Sequence, residues 1–189
     1  MKRLRISDPR QRKALTSPVR IELIETLIRL GAASVAELAE RMGRAPDSLY
    51  YHVRLLERVG VLRVVERRRS GANREAVYAC VAERVELDCD PESEASVHAE
   101  EQSLGALLRL TERTYSRALR GGRVRAKGAA RDLQAHRVRA TLDAAGRREL
   151  NRRLDELLDF LRAANRRADE GGGKGRATSV VFVVSPIEE

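Results

Sequence analysis

Ser34-Val-Ala-Glu-Leu-Ala-Glu-Arg-Met-Gly43, followed past Arg44-Ala-Pro-Asp47 by Ser48-Leu-Tyr-Tyr-His-Val-Arg-Leu-Leu-Glu-Arg-Val-Gly-Val-Leu62, is the stretch that decides how this chain folds. Ser34 stands three residues before Glu37, the spacing of a capping box, so a helix starts there. Val35, Leu38, Ala39 and Met42 recur at helical spacing and form its buried stripe. Gly43 ends that helix and permits a tight turn. A second helix begins near Pro46, turns Leu49, Val53 and Leu56 inward, and stops at Gly60.

Two helices joined by a short glycine-containing turn, the second with a free face, make a helix-turn-helix unit. The free face of the second helix presents Asp47, Ser48, Tyr51, Arg54 and Arg58, with Tyr50 and His52 at its margins. One of the two tyrosines is expected to pack inward, leaving Tyr51 exposed. For His52 two readings stay open: contact with a base or phosphate, or packing against Tyr51 and the neighbouring helix. Arg44, in the turn, is placed to reach a phosphate. Upstream, Ser7-Asp8-Pro9 predicts a short helix over about 8–15, and Ser17-Pro18 starts another that carries Ile21, Ile24, Leu27 and Ile28 as far as Gly31. Downstream the period changes. Val61–Arg67 and Glu75–Val81 are β-prone and flank a basic tip, predicting a hairpin. Arg67, Arg68, Arg69, Asn73 and Arg74 of that tip are candidate contacts to the DNA backbone. An exposed helix of this kind fits the major groove, and a basic hairpin beside it reaches the flanking backbone or minor groove.

Ala14 to Val81 resembles the ArsR-type winged helix-turn-helix regulators. The matching stretches are Leu15-Thr-Ser-Pro-Val-Arg-Ile-Glu-Leu-Ile24, Ser34–Gly43 and Ser48–Leu62, and the run from His52 to Leu62 is the most specific of them. The resemblance implies a DNA-binding fold whose second helix reads bases. That family includes metal sensors with a thiol pair on the third helix. This chain has Glu37-Leu-Ala-Glu40 there and no cysteine, so that sensing chemistry is not expected.

The chain has 189 residues and a net charge of +9, with 37 Lys+Arg against 28 Asp+Glu. Residues 1–80 carry 17 basic and 9 acidic side chains, 81–105 one and 8, and 106–189 19 and 11, so an acidic connector separates two basic blocks. Hydrophobic residues make up 42%, enough for a core, but aromatics only 3%, so the core is aliphatic. The longest strongly apolar run, Val180 to Val184, is far below the roughly 20 residues of a spanning helix. No apolar stretch follows the basic start, so no secretory signal and no membrane partner is expected, and the expected location is the cytoplasm. Cys80 and Cys89 cannot make a disulfide framework. Together with His98 they are too widely spaced for a tetrahedral zinc site, so neither metal nor cofactor is expected. Gly171-Gly-Gly-Lys-Gly175 lacks the spacing of a phosphate-cradling loop and reads as a flexible turn. No nucleophile–base constellation is present, so the chain is not read as an enzyme.

Glu94 to Arg120 reads as one helix, roughly 40 Å long at ~1.5 Å per residue. Leu104, Leu107, Leu108 and Tyr115 lie on its apolar stripe with Val97, Thr111 and Leu119. A small winged domain cannot cover such a helix, so the same helix of a second copy is the expected partner, as in dimeric winged-helix regulators that the chain resembles. Beyond it, Ala135–Leu142 alternates like a strand, Asp143 caps a helix with Leu150, Leu154, Leu157, Leu158 and Leu161 on one face, and Thr178–Val184 reads as another strand. The expected fold class is therefore mainly α with small β (α+β). A winged helix-turn-helix domain (1–87) is followed by an acidic connector with a long dimerisation helix (88–122) and a C-terminal strand–helix–strand appendage (131–189). The function expected is that of a sequence-specific transcriptional regulator, a repressor, acting as a homodimer on a pseudo-palindromic operator. Its partners would be double-stranded DNA and itself, with a small-molecule effector left open. The alternative is a winged-helix protein–protein interaction module without sequence-specific DNA binding.

Overall fold

The computed structural model describes residues 3–70, 73–170 and 175–187. The chain divides into two compact units, Met1–Thr114 and Tyr115–Glu189. The first unit begins with β1 (Arg3–Ile6), α1 (Pro9–Ala14) and α2 (Pro18–Leu30). Asp8 caps α1 by accepting from the Arg10 N–H at 2.7 Å, as the Ser-Asp-Pro signal predicts. Next come β2 (Ala33–Ser34), α3 (Val35–Met42) and α4 (Pro46–Arg58). The expected capping box is present: the Glu37 N–H donates to Ser34 Oγ at 3.3 Å and the Ser34 N–H to Glu37 Oε2 at 2.8 Å. Gly43 adopts φ 61°, a left-handed conformation that lets the turn into α4 close with the Arg44 N–H on the Ala39 carbonyl at 2.9 Å.

The hairpin follows as β3 (Leu62–Ser70) and β4 (Asn73–Cys80), and β2 adds to it antiparallel, giving the order β2-β4-β3. Val64 pairs with Tyr78 and Glu66 with Val77, so Val65 is an extra residue, a β-bulge in β3. β5 (Arg84–Leu87) returns to pair in parallel with β1, a contact that the sequence reading does not contain. The core is aliphatic as expected. Leu23, Leu27, Leu38, Leu49, Val53, Leu56 and Val61 are fully buried, with Val35, Ala39 and Met42 beside them. In α2 the stripe turns slightly from its predicted position: Leu23 is buried and Ile21 only half-buried. These elements make a winged helix-turn-helix fold.

α5 (Glu94–Arg120) has the predicted bounds, and the division between the two units falls inside it. The acidic connector before it is held down. Arg12 of α1 donates to the Asp88 carbonyl and to Ser96 Oγ, and the Asp90 N–H reaches the same Ser96 oxygen at 2.9 Å.

In the second unit, α6 (Ala144–Glu170) forms where expected, with the Gly146 N–H on the Asp143 carboxylate at 2.7 Å. Arg152 and Arg153 both pair with Glu149 at 2.8 Å, so that flank is a solvated charged face. Leu150, Leu154, Leu158 and Leu161 are half-buried, while Leu157 is exposed. The strands expected on either side of α6 do not form: residues 132–143 and 176–187 carry no strand, and Val138, Val183 and Val184 stay exposed. The physical reason is that alternation defines the faces of a strand, whereas a strand exists only where a second edge supplies hydrogen bonds. Neither segment finds that edge among the described residues. Residues 171–174, the glycine-rich turn of the sequence reading, lie outside the described residues.

Candidate nucleic-acid interface

α4 is fixed from beneath. Leu49, Val53 and Leu56 are fully buried, which turns Asp47, Ser48, Tyr50, Tyr51, Arg54 and Arg58 outward. Both tyrosines are exposed, Tyr50 at 48% and Tyr51 at 67%, so the expectation that one of them packs inward is corrected. Tyr50 follows the buried Leu49 by one residue, about 100° of helical rotation, which carries it beyond the core-facing stripe. Ser48 Oγ donates to the Ala45 carbonyl at 2.7 Å and keeps its lone pairs free to accept.

His52 is half-buried and meets the Tyr51 ring edge-on, with centroids 5.5 Å apart. The packing reading of His52 thus has a physical counterpart. Its Nδ1 is buried without a hydrogen-bond partner among the described residues. Burial, then the cations Arg20 and Arg44, hold its pKa below the ordinary imidazole value. Arg44 itself is ion-paired with Glu22 of α2 at 3.0 Å. Nothing in the sequence signals that partner, which stands a full helix away.

The hairpin distributes its arginines between two faces. Arg68 turns towards α3, with Nη2 2.7 Å from Glu37 Oε1 and Nε 3.6 Å from Glu75 Oε2. Glu37 therefore serves the α3 cap with one oxygen and the hairpin with the other. Its pKa is lowered, first by the Ser34 N–H and then by Arg68. Arg67 turns the other way, into a cleft of about 400 Å³ between α4 and the hairpin that is lined by Arg54, Glu57, Arg58, Val64, Arg67 and Tyr78. Three guanidinium groups face one carboxylate there, so the cleft is electropositive. Among the described residues no ion pair occupies Arg54, Arg58 or Arg67. Arg69 and Arg74 stand opposite each other near the tip and are exposed. The Asn73 side chain and the tip residues Gly71-Ala72 lie outside the described residues. Sequence reasoning missed Glu22, Glu37 and Glu75 as partners and Tyr78 as a cleft wall. Only Glu75 was within reach, since a hairpin register places it opposite Arg68.

On α5, Leu104 and Leu108 are exposed at 37% and 48%, and Leu107 and Tyr115 are half-buried. Cys80 is mostly buried and burial pushes its thiol up to about 12, while Cys89 is exposed. Among the described residues no cluster of His, Cys, Asp and Glu is arranged to hold a metal ion. No helix among them is long and apolar enough to cross a membrane.

Residues 15–65, which is 51 of the 189, match the family model of a helix-turn-helix domain. No curated protein matches the chain. Among solved structures, a transcriptional regulator homologue from Pyrococcus horikoshii OT3 is similar at 18% identity, covering 53% of this chain and 86% of that one, with a TM-score of 0.33. The AntR antimony-specific transcriptional repressor is similar at 24% identity over 54% and 76% of the two chains, with a TM-score of 0.32. A mutant of Lactococcus lactis ZitR in apo form is similar at 13% identity over 79% and 85%, with a TM-score of 0.27.

Proposed function

We propose that this protein is a sequence-specific, DNA-binding transcriptional regulator of the ArsR type, acting as a homodimer and repressing by occupying a pseudo-palindromic operator. The observation that carries the reading is the outer face of α4. Its apolar side is consumed by the core, and the face that remains carries Ser48, Tyr51, Arg54 and Arg58, of which Arg54 and Arg58 share a cleft with Arg67 of the hairpin. In this reading α4 enters the major groove, Ser48, Tyr51 and Arg54 read base edges, and Arg67, Arg69 and Arg74 contact phosphates, with Asp47, His52 and Asn73 at the edge of the footprint. Residues 1–87 form the DNA-binding part. The exposed Leu104 and Leu108, with Leu107 and Tyr115, support α5 as the dimer helix, and residues 131–189 serve the dimer or an effector. Two α4 helices would then lie about 34 Å apart along one face of the duplex. The ArsR-type assignment rests on the His52–Leu62 run, and repression rests on that assignment.

The test is a genomic-fragment selection followed by titration of the recovered duplex at fixed salt. A recurrent two-fold symmetric site is the expected result. Arg54→Ala should weaken its binding by ~1–3 kcal/mol, the value of a bidentate base contact. Recovery of fragments without any shared sequence would instead favour a winged-helix module that binds proteins.

A further inference from the structure

The loop that leaves α5 closes on itself. The Asp132 N–H donates to the Arg125 carbonyl at 2.8 Å, and the Arg125 N–H donates back to Asp132 Oδ1 at 2.7 Å. Arg176, far along the chain, donates to Asp132 Oδ2 at 2.8 Å and to the Arg123 carbonyl. Both oxygens of Asp132 are thus engaged, one by the backbone and one by Arg176. Among the described residues the Arg123 and Arg125 side chains make no hydrogen bond or ion pair, though the Arg125 charge lies close enough to Asp132 to help hold its carboxyl below the usual range. Between these groups lies a cavity of about 500 Å³ lined by Gly122, Arg123, Val124, Arg125, Asp132 and Arg176. All six residues belong to the second unit.

We propose that this cavity binds a small polyanion, a compound carrying phosphoryl or carboxylate groups. Three guanidinium groups against one carboxylate leave a net charge of +2 on the lining. The volume falls within the range of small-molecule sites, about 300–1,000 Å³. A guanidinium presents a planar fork of donors that matches two anionic oxygens at once, so Arg123 and Arg125, whose forks make no hydrogen bond among the described residues, would each take such a group. Arg176 and Asp132 are positioning residues: they tie residues 123–132 to the C-terminal segment and so hold the two forks around one space. At Gly122 a Cβ would meet nothing within 4 Å, so the backbone there leaves the cavity open. Anion binding here is independent of whether α4 reads DNA.

Calorimetric titration of the full chain with sodium pyrophosphate and with citrate, in chloride buffers of matched ionic strength, tests it. Saturable binding of one anion per chain is expected. Preference for pyrophosphate identifies a phosphoryl ligand, and preference for citrate a carboxylate. The double variant Arg123→Ala/Arg125→Ala should weaken binding by about tenfold or more. Lys127→Ala, which removes an exposed cation of the same loop from outside the cavity, should leave it unchanged. The proposal is overturned if neither anion saturates, or if Lys127→Ala costs as much as the double variant. The latter would mean that diffuse basic charge, such as a nucleic-acid-binding surface uses, does the binding. Circular dichroism of each variant ensures that a loss of binding is not a loss of fold.

Discussion

Replacing Arg68 by alanine separates two jobs that the hairpin arginines divide between them. Arg68 sits 2.7 Å from Glu37 and 3.6 Å from Glu75, with side-chain exposures of 39%, 46% and 22% for the three. Solvent screens ion pairs this exposed, so Arg68→Ala should leave the stability of the fold close to that of the unaltered chain. The consequence for DNA binding has a different signature from that of Arg67→Ala. Each phosphate neutralised by a free cation steepens the dependence of log Kobs on log salt by about 0.9. Among the described residues Arg67 makes no ion pair with a carboxylate, so Arg67→Ala should flatten the slope by roughly that amount. The charge of Arg68 is already met by two carboxylates of its own protein. Arg68→Ala should therefore keep the slope close to that of the unaltered chain while lowering affinity, because it loosens the hairpin from α3 and uncovers Glu37 and Glu75. Fluorescence anisotropy of the selected duplex over a series of potassium chloride concentrations reads both quantities. An Arg68→Ala slope as flat as that of Arg67→Ala would refute the reasoning, since Arg68 would then be releasing counterions itself.

Other predictions concern the core and the titrating groups. Leu56→Ala, at a fully buried position under α4, should cost about 2–5 kcal/mol in urea denaturation, and a smaller loss would mean that the site collapses around the cavity. With its thiol pushed up to about 12, Cys80 stays protonated at pH 8, so a disulfide reagent should titrate one fast thiol, Cys89, in the folded chain and two after denaturation. The raised value also gives a sign: the stability that Cys80 contributes is full below the ordinary thiol range and is lost as pH rises through it towards 12. His52 is shifted the other way, by burial and then by Arg20 and Arg44, so its ring protons should titrate below the ordinary imidazole range in NMR. Stability should fall as pH drops through that range, because the unfolded chain takes up the proton first. A His52 pKa at or above the ordinary value would contradict the packing described.

The legible parts of the fold are those whose signals are local. Pro18, the Ser34–Glu37 box, Gly43 and the stripe Leu49/Val53/Leu56 mark boundaries and faces within a few residues, and each element they announce is present. β1 and β2 were not legible, because strands of four and two residues carry no period and exist only through distant partners, Arg84–Leu87 and Val77-Tyr78. The converse error arose at Ala135–Leu142, which alternates, and at Thr178–Val184, a continuous apolar run: each has the composition of a strand, and neither finds an edge to pair with among the described residues. In the candidate site, the outward set on α4 followed from helical geometry. The commitments of Arg44 to Glu22 and of Arg68 to Glu37 join separate elements of the fold, and composition alone counts both arginines as free charge.

The surplus residue in β3 has one more effect. Had the ladder run on from Val64 and Tyr78 without a hiccup, Arg67 rather than Arg68 would stand across from Glu75, and Arg68 would look into the cleft beside Arg54. Val65 shifts the phase of everything beyond it by one step. A single unpaired amino acid thus chooses which guanidinium is kept at home to brace the molecule and which is offered to whatever docks there.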